Sequence, residues 1–400
     1  MDVDITQKGI ENAFKEKILE LQEEPEFQCN REQIKYAADG DGAPIVKVAV
    51  GNVPVDYDLW EGLRNPAVVG LHPIGLREIW EFYSNRVKQK IDENGRRTIF
   101  QIPRPFDVAR RDYGRAVIVS VMLPFSPGIL EDSTRLILER RKGASYEYSK
   151  MYKDVNRMLD MATMRVGIDL VTDDTVVVAM TKDMIQSVSE EALPQTRQGN
   201  SHGPCKLGNY SQKSVAALLG LGQFGVSNLV FRDELIDGKV ERYHGTLRSI
   251  IMFDKEALVT AGRGGFVNPT DRWRDFLLKL YDFTNVEPEI NKYRFCSYIP
   301  YNGKGCGKCI SYCPSNALAN SVPNPKGVYP EGVLKQAHRF WEGNLQFDFG
   351  RCRDDRSQMG TLFSEWHCAR CGTVCVTEGT KREDAVKIFS EERDRLTKEM

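Results

Sequence analysis

The feature that most constrains this chain is where its cysteines fall: eight of the ten lie between Cys296 and Cys375. The densest run is Gly305-Cys306-Gly307-Lys308-Cys309-Ile310-Ser311-Tyr312-Cys313-Pro314. A second run, Cys368-Ala369-Arg370-Cys371-Gly372-Thr373-Val374-Cys375, repeats its Cys-x2-Cys and x3-Cys gaps. The repeat asks for a fold that presents two similar sets of thiols.

Iron–sulfur cubes account for such spacing. A four-iron, four-sulfur cube needs four thiolates converging from different directions, and a Cys-x2-Cys turn lets two reach neighbouring irons from one tight loop. In the bacterial two-cluster pattern C-x2-C-x2-C-x3-C-P, the last cysteine serves the other cluster and the proline ends the loop. Cys313-Pro314 fits that ending, whereas Cys375-Val376 lacks the proline. Each run supplies three thiolates, and Cys296 and Cys352, upstream of the two runs, bring the count to eight. Crossed ligation assigns Cys296, Cys306, Cys309 and Cys375 to one cluster, and Cys313, Cys352, Cys368 and Cys371 to the other. Nine residues separate Cys296 from Cys306, so 297–305 must loop out. Two structural zinc sites using the same turns with His367 stay open as an alternative. A disulfide framework is disfavoured, because such frameworks belong to small secreted chains that cannot build a core.

This chain is not small. Its 400 residues, 41% hydrophobic, suffice for a large core and more than one domain. The formal net charge of −1 gives no basic field of the kind that marks nucleic-acid binding. Neither a stretch of eighteen apolar residues nor an export signal is visible, so no integral membrane segment is expected. As written the chain reads as cytoplasmic, with an exported mature form left open and the oligomeric state undetermined.

Along the chain, 7–23 reads as a charged helix with Ile10, Phe14, Ile18 and Leu21 on one stripe. From Cys29 to about Arg110, glycines and prolines punctuate short elements such as Ile45 to Val50 and Leu76 to Ile91, which suggests a wrapping extension over 1–110. A buried strand, Ala116 to Met122, is followed by one long helical stretch from about Glu131 to Val166 and a second strand, Thr175 to Met180, which predicts a layered α/β core. Between Leu193 and Tyr210 lies a polar loop that reads either as a pocket wall or as a simple surface loop. Ser211 to Leu219 reads as a helix running into Gly220-Leu221-Gly222-Gln223-Phe224-Gly225 and a strand, Asn228 to Phe231. The glycines match G-x-G-x-x-G, but a dinucleotide fingerprint follows a strand and opens a helix, and here the order is reversed. They are expected instead to let backbone approach a large flat ligand. A charged turn at Asp237-Gly238-Lys239 separates that strand from Leu247 to Phe253, and the two read as a hairpin or meander. Trp273 to Phe283 reads as an aromatic helix. The domains are thus 1–110, an α/β core over 111–290, a two-cluster module over 291–380 and a charged tail over 381–400. Cys29 and Cys205 are most simply small buried side chains.

The order of parts resembles the corrinoid-dependent reductive dehalogenase and epoxyqueuosine reductase superfamily. The residues that carry the likeness are Ala217-Leu218-Leu219-Gly220-Leu221-Gly222, then Gly245-Thr246-Leu247-Arg248, then the two cysteine runs, and it spans roughly Gly114 to Cys375. The resemblance implies an α/β (α+β) fold: a nitroreductase-like core and a ferredoxin-like module with two 4Fe–4S clusters. Between them it implies cobalamin or a related corrinoid, with Gly220, Leu221, Gly222, Gly225 and His202 as candidate contacts; His244 is a second histidine arguable as an axial ligand. Where epoxyqueuosine reductases carry Cys-Val-Asp, this chain has Cys205-Lys206-Leu207 and lacks the proton-donating carboxylate, so it stands closer to the dehalogenase branch. That branch implies a tyrosine as proton donor: Tyr210, with Asn209 beside it and Arg248 as charge stabiliser, and with Tyr146, Tyr148 and Tyr152 as rivals.

The expectation is therefore an oxidoreductase that reductively cleaves a small-molecule substrate, with organohalides the leading class. Electrons would come from a low-potential donor such as a ferredoxin or flavodoxin. The alternatives are a two-cluster electron carrier without its own catalysis, or a superfamily reductase acting on a non-halogenated substrate such as an epoxide.

Overall fold

The computed structural model describes residues 6–28, 35–54, 75–76, 79, 115–140, 145–171, 175–181, 210–224, 229–236, 239–254, 281–282, 308–313 and 370–379. Over these residues the architecture is a mixed α and β one built on antiparallel sheets.

Helix α1 (Gln7–Gln22) starts where the Thr6 side chain accepts a hydrogen bond from the Gly9 N–H at 3.0 Å. Its buried residues are the stripe the periodicity predicts, Ile10, Phe14, Ile18 and Leu21, with Ala13 beside them. A short α2 (Pro25–Gln28) follows. Strand β1 (Lys47–Pro54) then pairs with β2 (Arg115–Pro124) along its whole length, from Lys47 opposite Met122 to Pro54 opposite Arg115. The segment read as a wrapping extension thus supplies an inner strand of the main sheet, so the boundary at 110 falls between two paired strands.

Two helices come next, α3 (Pro127–Arg140) and α4 (Tyr146–Asp169), in place of the single one expected. The break has a local cause: the Ser145 hydroxyl accepts from the Tyr148 N–H at 3.1 Å and starts a new helix. Strand β3 (Thr175–Met180), helix α5 (Gln212–Leu218), β4 (Gln223–Phe224), β5 (Val230–Ile236), β6 (Lys239–Tyr243), β7 (Gly245–Asp254) and β8 (Tyr281–Asp282) complete the core. The expected aromatic helix over 273–283 is corrected at its end, because Tyr281 and Asp282 form β8, paired in parallel with Gly51 and Asn52.

The main sheet has the order β3-β7-β2-β1-β8, and β4-β5-β6 form a second sheet. Here the expected hairpin is corrected as well: the partner of β5 is β6, while β7 crosses to the main sheet between β2 and β3. Strand β2 is almost wholly apolar because it is central and covered on both faces. Val117, Val119, Val121 and Leu123 face a core shared with α1 and α4, joined by Ile250 and Met252 from β7 and Val48 and Val50 from β1. The alternate residues Ile118, Ser120 and Met122 are equally buried on the second face, over which α5 lies. The sheets are tied together where Lys47 of β1 meets Glu234 of β5 at 2.5 Å and lies over the Tyr243 ring. Gly245 begins β7 so close to β2 that a Cβ would come within 2.1 Å of the Leu123 carbonyl oxygen.

Candidate metal centre

The cysteine region contributes two described helices, α6 (Lys308–Ser311) and α7 (Arg370–Glu378). Cys309 lies on α6 and is buried, and Cys313 follows just after it. On α7, Cys371 and Cys375 stand one turn apart, and a spacing of four residues puts both on one helix face. The helices are joined where the Arg370 guanidinium donates to the Tyr312 carbonyl at 3.4 Å. One half of the expected ligand set, Cys309, Cys313, Cys371 and Cys375, thus sits on or just after two helices linked through Arg370. The other half, Cys296, Cys306, Cys352 and Cys368, lies outside the described residues. Among the described residues no group of three or more His, Cys, Asp or Glu side chains forms a metal site.

The residues between the α7 cysteines explain how that helix docks. Thr373 and Val374 are fully buried, and Thr377 meets Thr134 of α3 at 3.0 Å. Gly372 packs closely here: a Cβ would lie 3.3 Å from the His244 ring and 3.2 Å from Leu229. His244 is itself a packing residue. Its Nδ1 donates to the Val230 carbonyl at 3.2 Å, and its ring meets Phe125 edge-on and lies tilted against Phe231. Burial pulls its pKa down to about 4, so it is neutral at pH 7.

Arg242 and Asp233 occupy the same junction. They are register partners across the β5–β6 hairpin. The guanidinium grips both carboxylate oxygens at 2.7 and 2.8 Å, with only 1% of the arginine side chain exposed. Its third corner, Nη1, points at α7, 3.2 Å from the Cys375 carbonyl oxygen and 3.7 Å from its Sγ. Burial works against the cation, but the bond to Asp233 and the neighbouring Cys375 hold its pKa above the ordinary value. Gly379 makes room for it: a Cβ there would sit 2.8 Å from Nη1 and 2.3 Å from the Cys375 carbonyl oxygen. Sequence reading missed this pair. The signal available was the Asp237-Gly238 dipeptide, since a two-residue hairpin loop fixes Asp233 opposite Arg242.

The residues proposed for chemistry are dispersed. Tyr210 is buried immediately before Ser211, whose side chain caps α5. Burial pushes its phenol well above the usual value, only partly offset by the Ser249 hydroxyl, so it stays protonated at neutral pH. Ser249 bonds to Gln212, and Gln212 donates to the Met180 carbonyl at 2.7 Å. Arg248 is the neighbour of Ser249 on β7, and successive strand residues point to opposite faces. Its guanidinium holds Asp160 of α4 at 2.5 and 2.8 Å and Asn156 at 3.2 Å. Tyr210 and Arg248 are therefore on opposite faces of the sheet, and Arg248 is already neutralised by a carboxylate. The expected pairing of acid and charge stabiliser does not form. Among the rival tyrosines, Tyr148 is buried against Phe125, Tyr152 also packs on that ring, and Tyr146 is exposed. Asn209, His202 and Gly225 lie outside the described residues.

The Gly-Leu-Gly turn has a structural explanation. The Leu221 N–H donates to the Ala216 carbonyl at 2.8 Å and the Gly220 N–H to the Ala217 carbonyl at 3.0 Å, which is a Schellman C-cap. Gly220 takes the left-handed φ of 73° the cap requires, and Leu221 is the buried contact that accompanies it. Gly222 approaches β5: a Cβ would meet Val230 at 2.6 Å and the Phe231 carbonyl oxygen at 2.7 Å. Gly220 and Gly222 thus each have a role within the fold, one in the helix cap and one in the approach to β5. Comparison with protein-family models, curated proteins and solved structures finds no match for this chain.

Proposed function

We propose that this chain is an iron–sulfur oxidoreductase with two 4Fe–4S clusters, and that its reaction is the reductive cleavage implied by the superfamily resemblance, with organohalides as the leading substrate class. The observation that carries the reading is the pair of matched cysteine runs, whose α6 and α7 thiols stand on helices joined through Arg370 and Tyr312. The donor set fits the group. Three of the eight cysteines are on these helices and Cys313 follows just after α6, and a guanidinium is directed at one sulfur, as expected beside a thiolate. The clusters would carry electrons one at a time from a ferredoxin or flavodoxin type donor.

For the corrinoid the fit is poorer. Gly220 and Gly222 are taken up by the helix cap and by β5, and Leu221 is buried, so the described turn offers no cradle. The Tyr210 phenol holds its proton beside Ser249 within the fold. This favours a second reading, a two-cluster electron carrier whose α/β part docks partners and holds no cobalt. An epoxide or other non-halogenated substrate is the remaining variant of the first.

Metal analysis and an absorption spectrum of protein reconstituted without oxygen separate these readings. About eight iron and about one cobalt per chain, with halide release from an organohalide under reducing conditions, is the outcome expected of the dehalogenase. About eight iron without cobalt uptake leaves the carrier, and zinc in place of iron removes both.

A further inference from the structure

We propose that Arg242 raises the reduction potential of the one cluster that Cys375 ligates, and that the β5–β6 hairpin is built to hold it there; this rests on the cluster reading above. Cys375 is 133 residues away in sequence, yet Nη1 lies 3.7 Å from its sulfur and 3.2 Å from its carbonyl oxygen. Three independent features hold the contact. The hairpin register sets Asp233 opposite Arg242, and the carboxylate then fixes the plane of the guanidinium through two bonds. Gly379 leaves the space that Nη1 occupies, which a Cβ would enter. The junction is dry, with 1% of the Arg242 side chain and 5% of the Asp233 side chain exposed, so the charges are weakly screened.

The consequence follows from charge. Taking up one electron makes a thiolate-ligated cube more negative by one unit. A buried cation and an N–H donated to the ligating sulfur stabilise the reduced form, and the potential rises. Asp233 counteracts part of this, so the two residues act with opposite signs. On the crossed assignment Cys375 belongs to one cluster alone, so the effect of Arg242 is expected on that cluster.

The test is an anaerobic redox titration of the full chain, followed by the electron paramagnetic resonance of the reduced clusters. Arg242→Gln is expected to lower one midpoint potential, by about tenfold in the ratio of reduced to oxidised cube, or ~59 mV for a one-electron couple. Asp233→Asn, which leaves the cation uncompensated, is expected to raise the same midpoint, and the other cluster should not move in either variant. A purely structural clamp would not give shifts of opposite sign. Two intact clusters whose potentials are unchanged in Asp233→Asn, or shift together, overturn the inference and leave the cluster reading standing. Wild-type protein that takes up no iron overturns both. Should Arg242→Gln fail to fold, the sign of the Asp233→Asn shift decides alone.

Discussion

Two regions of this molecule solve the problem of packing in different ways. The face of the main sheet under α1 and α4 is filled with hydrocarbon: Phe14, Ile18, Val119, Leu159 and Ile250 are all fully buried there. One arginine clamp on this side, Arg248 on Asp160, sits at the border, where the aspartate is still 23% exposed. The junction between the β5–β6 hairpin and α7 is instead made of glycines and charge, with Gly372 and Gly379 admitting His244 and Arg242. Both regions bury an arginine held by two carboxylate oxygens. Only the second arginine ends on a thiol. A surface that needs stability alone can be filled with large side chains, whereas one that must hold a sulfur beside a fixed charge gives up side-chain volume to let backbone and guanidinium approach.

The largest expected effect breaks the first region. Phe14→Ala removes a fully buried ring from the α1 stripe and should cost roughly 3–5 kcal/mol in urea unfolding, while on the proposed cluster reading the iron per folded chain stays unchanged. Gly379→Ala attacks the second region. Its new Cβ would meet the Cys375 carbonyl at 2.3 Å, and the expected overpacking cost is about 1–3 kcal/mol. Unlike Phe14→Ala, it should also disturb the signal of the cluster proposed at Cys375. Equal iron loss in the two variants would erase the distinction between the regions.

The pH dependence sharpens the same contrast, because the imidazole belongs to the second region. His244 has a folded pKa of about 4 against 6.5 for the unfolded chain, so the unfolded state binds more protons between these values. Its contribution is fully present above pH 6.5 and is lost as pH falls towards 4. The wild type should weaken by about 2 kcal/mol more than His244→Gln, read as the difference in unfolding free energy at pH 7 and pH 5. A parallel decline in both proteins would place the acid sensitivity elsewhere. The smallest effect is on the second face of the sheet. The Ser120 hydroxyl is fully buried with no hydrogen-bond partner among the described residues, and Ser120→Ala should be neutral or stabilise by about 1 kcal/mol.

Much of the fold was legible in advance. The α1 stripe and the β-branched run of β2 each act through residues within a few positions of one another. Periodicity and capping report such short-range preferences directly. The long helix was misjudged because apolar spacing runs on through the region where Ser145 starts a new helix, so the cap outweighed the pattern. The candidate site was far less legible. Tyr210 and Arg248 have suitable chemistry, but a one-residue difference in strand position, Ser249 against Arg248, sends them to opposite faces.

What the sequence alone determined is the inventory: eight cysteines in two matched runs, a chain able to bury a large core, and the local elements set by their own periodicity and caps. The tertiary structure decided the pairings. It placed β1 between β2 and β8, moved β7 out of the hairpin, and brought Arg242 to Cys375 across 133 residues. Local propensity acts over a turn or two of chain. Which face a residue presents, and which distant residue it meets there, is set by sheet order and packing, which no short window of sequence encodes.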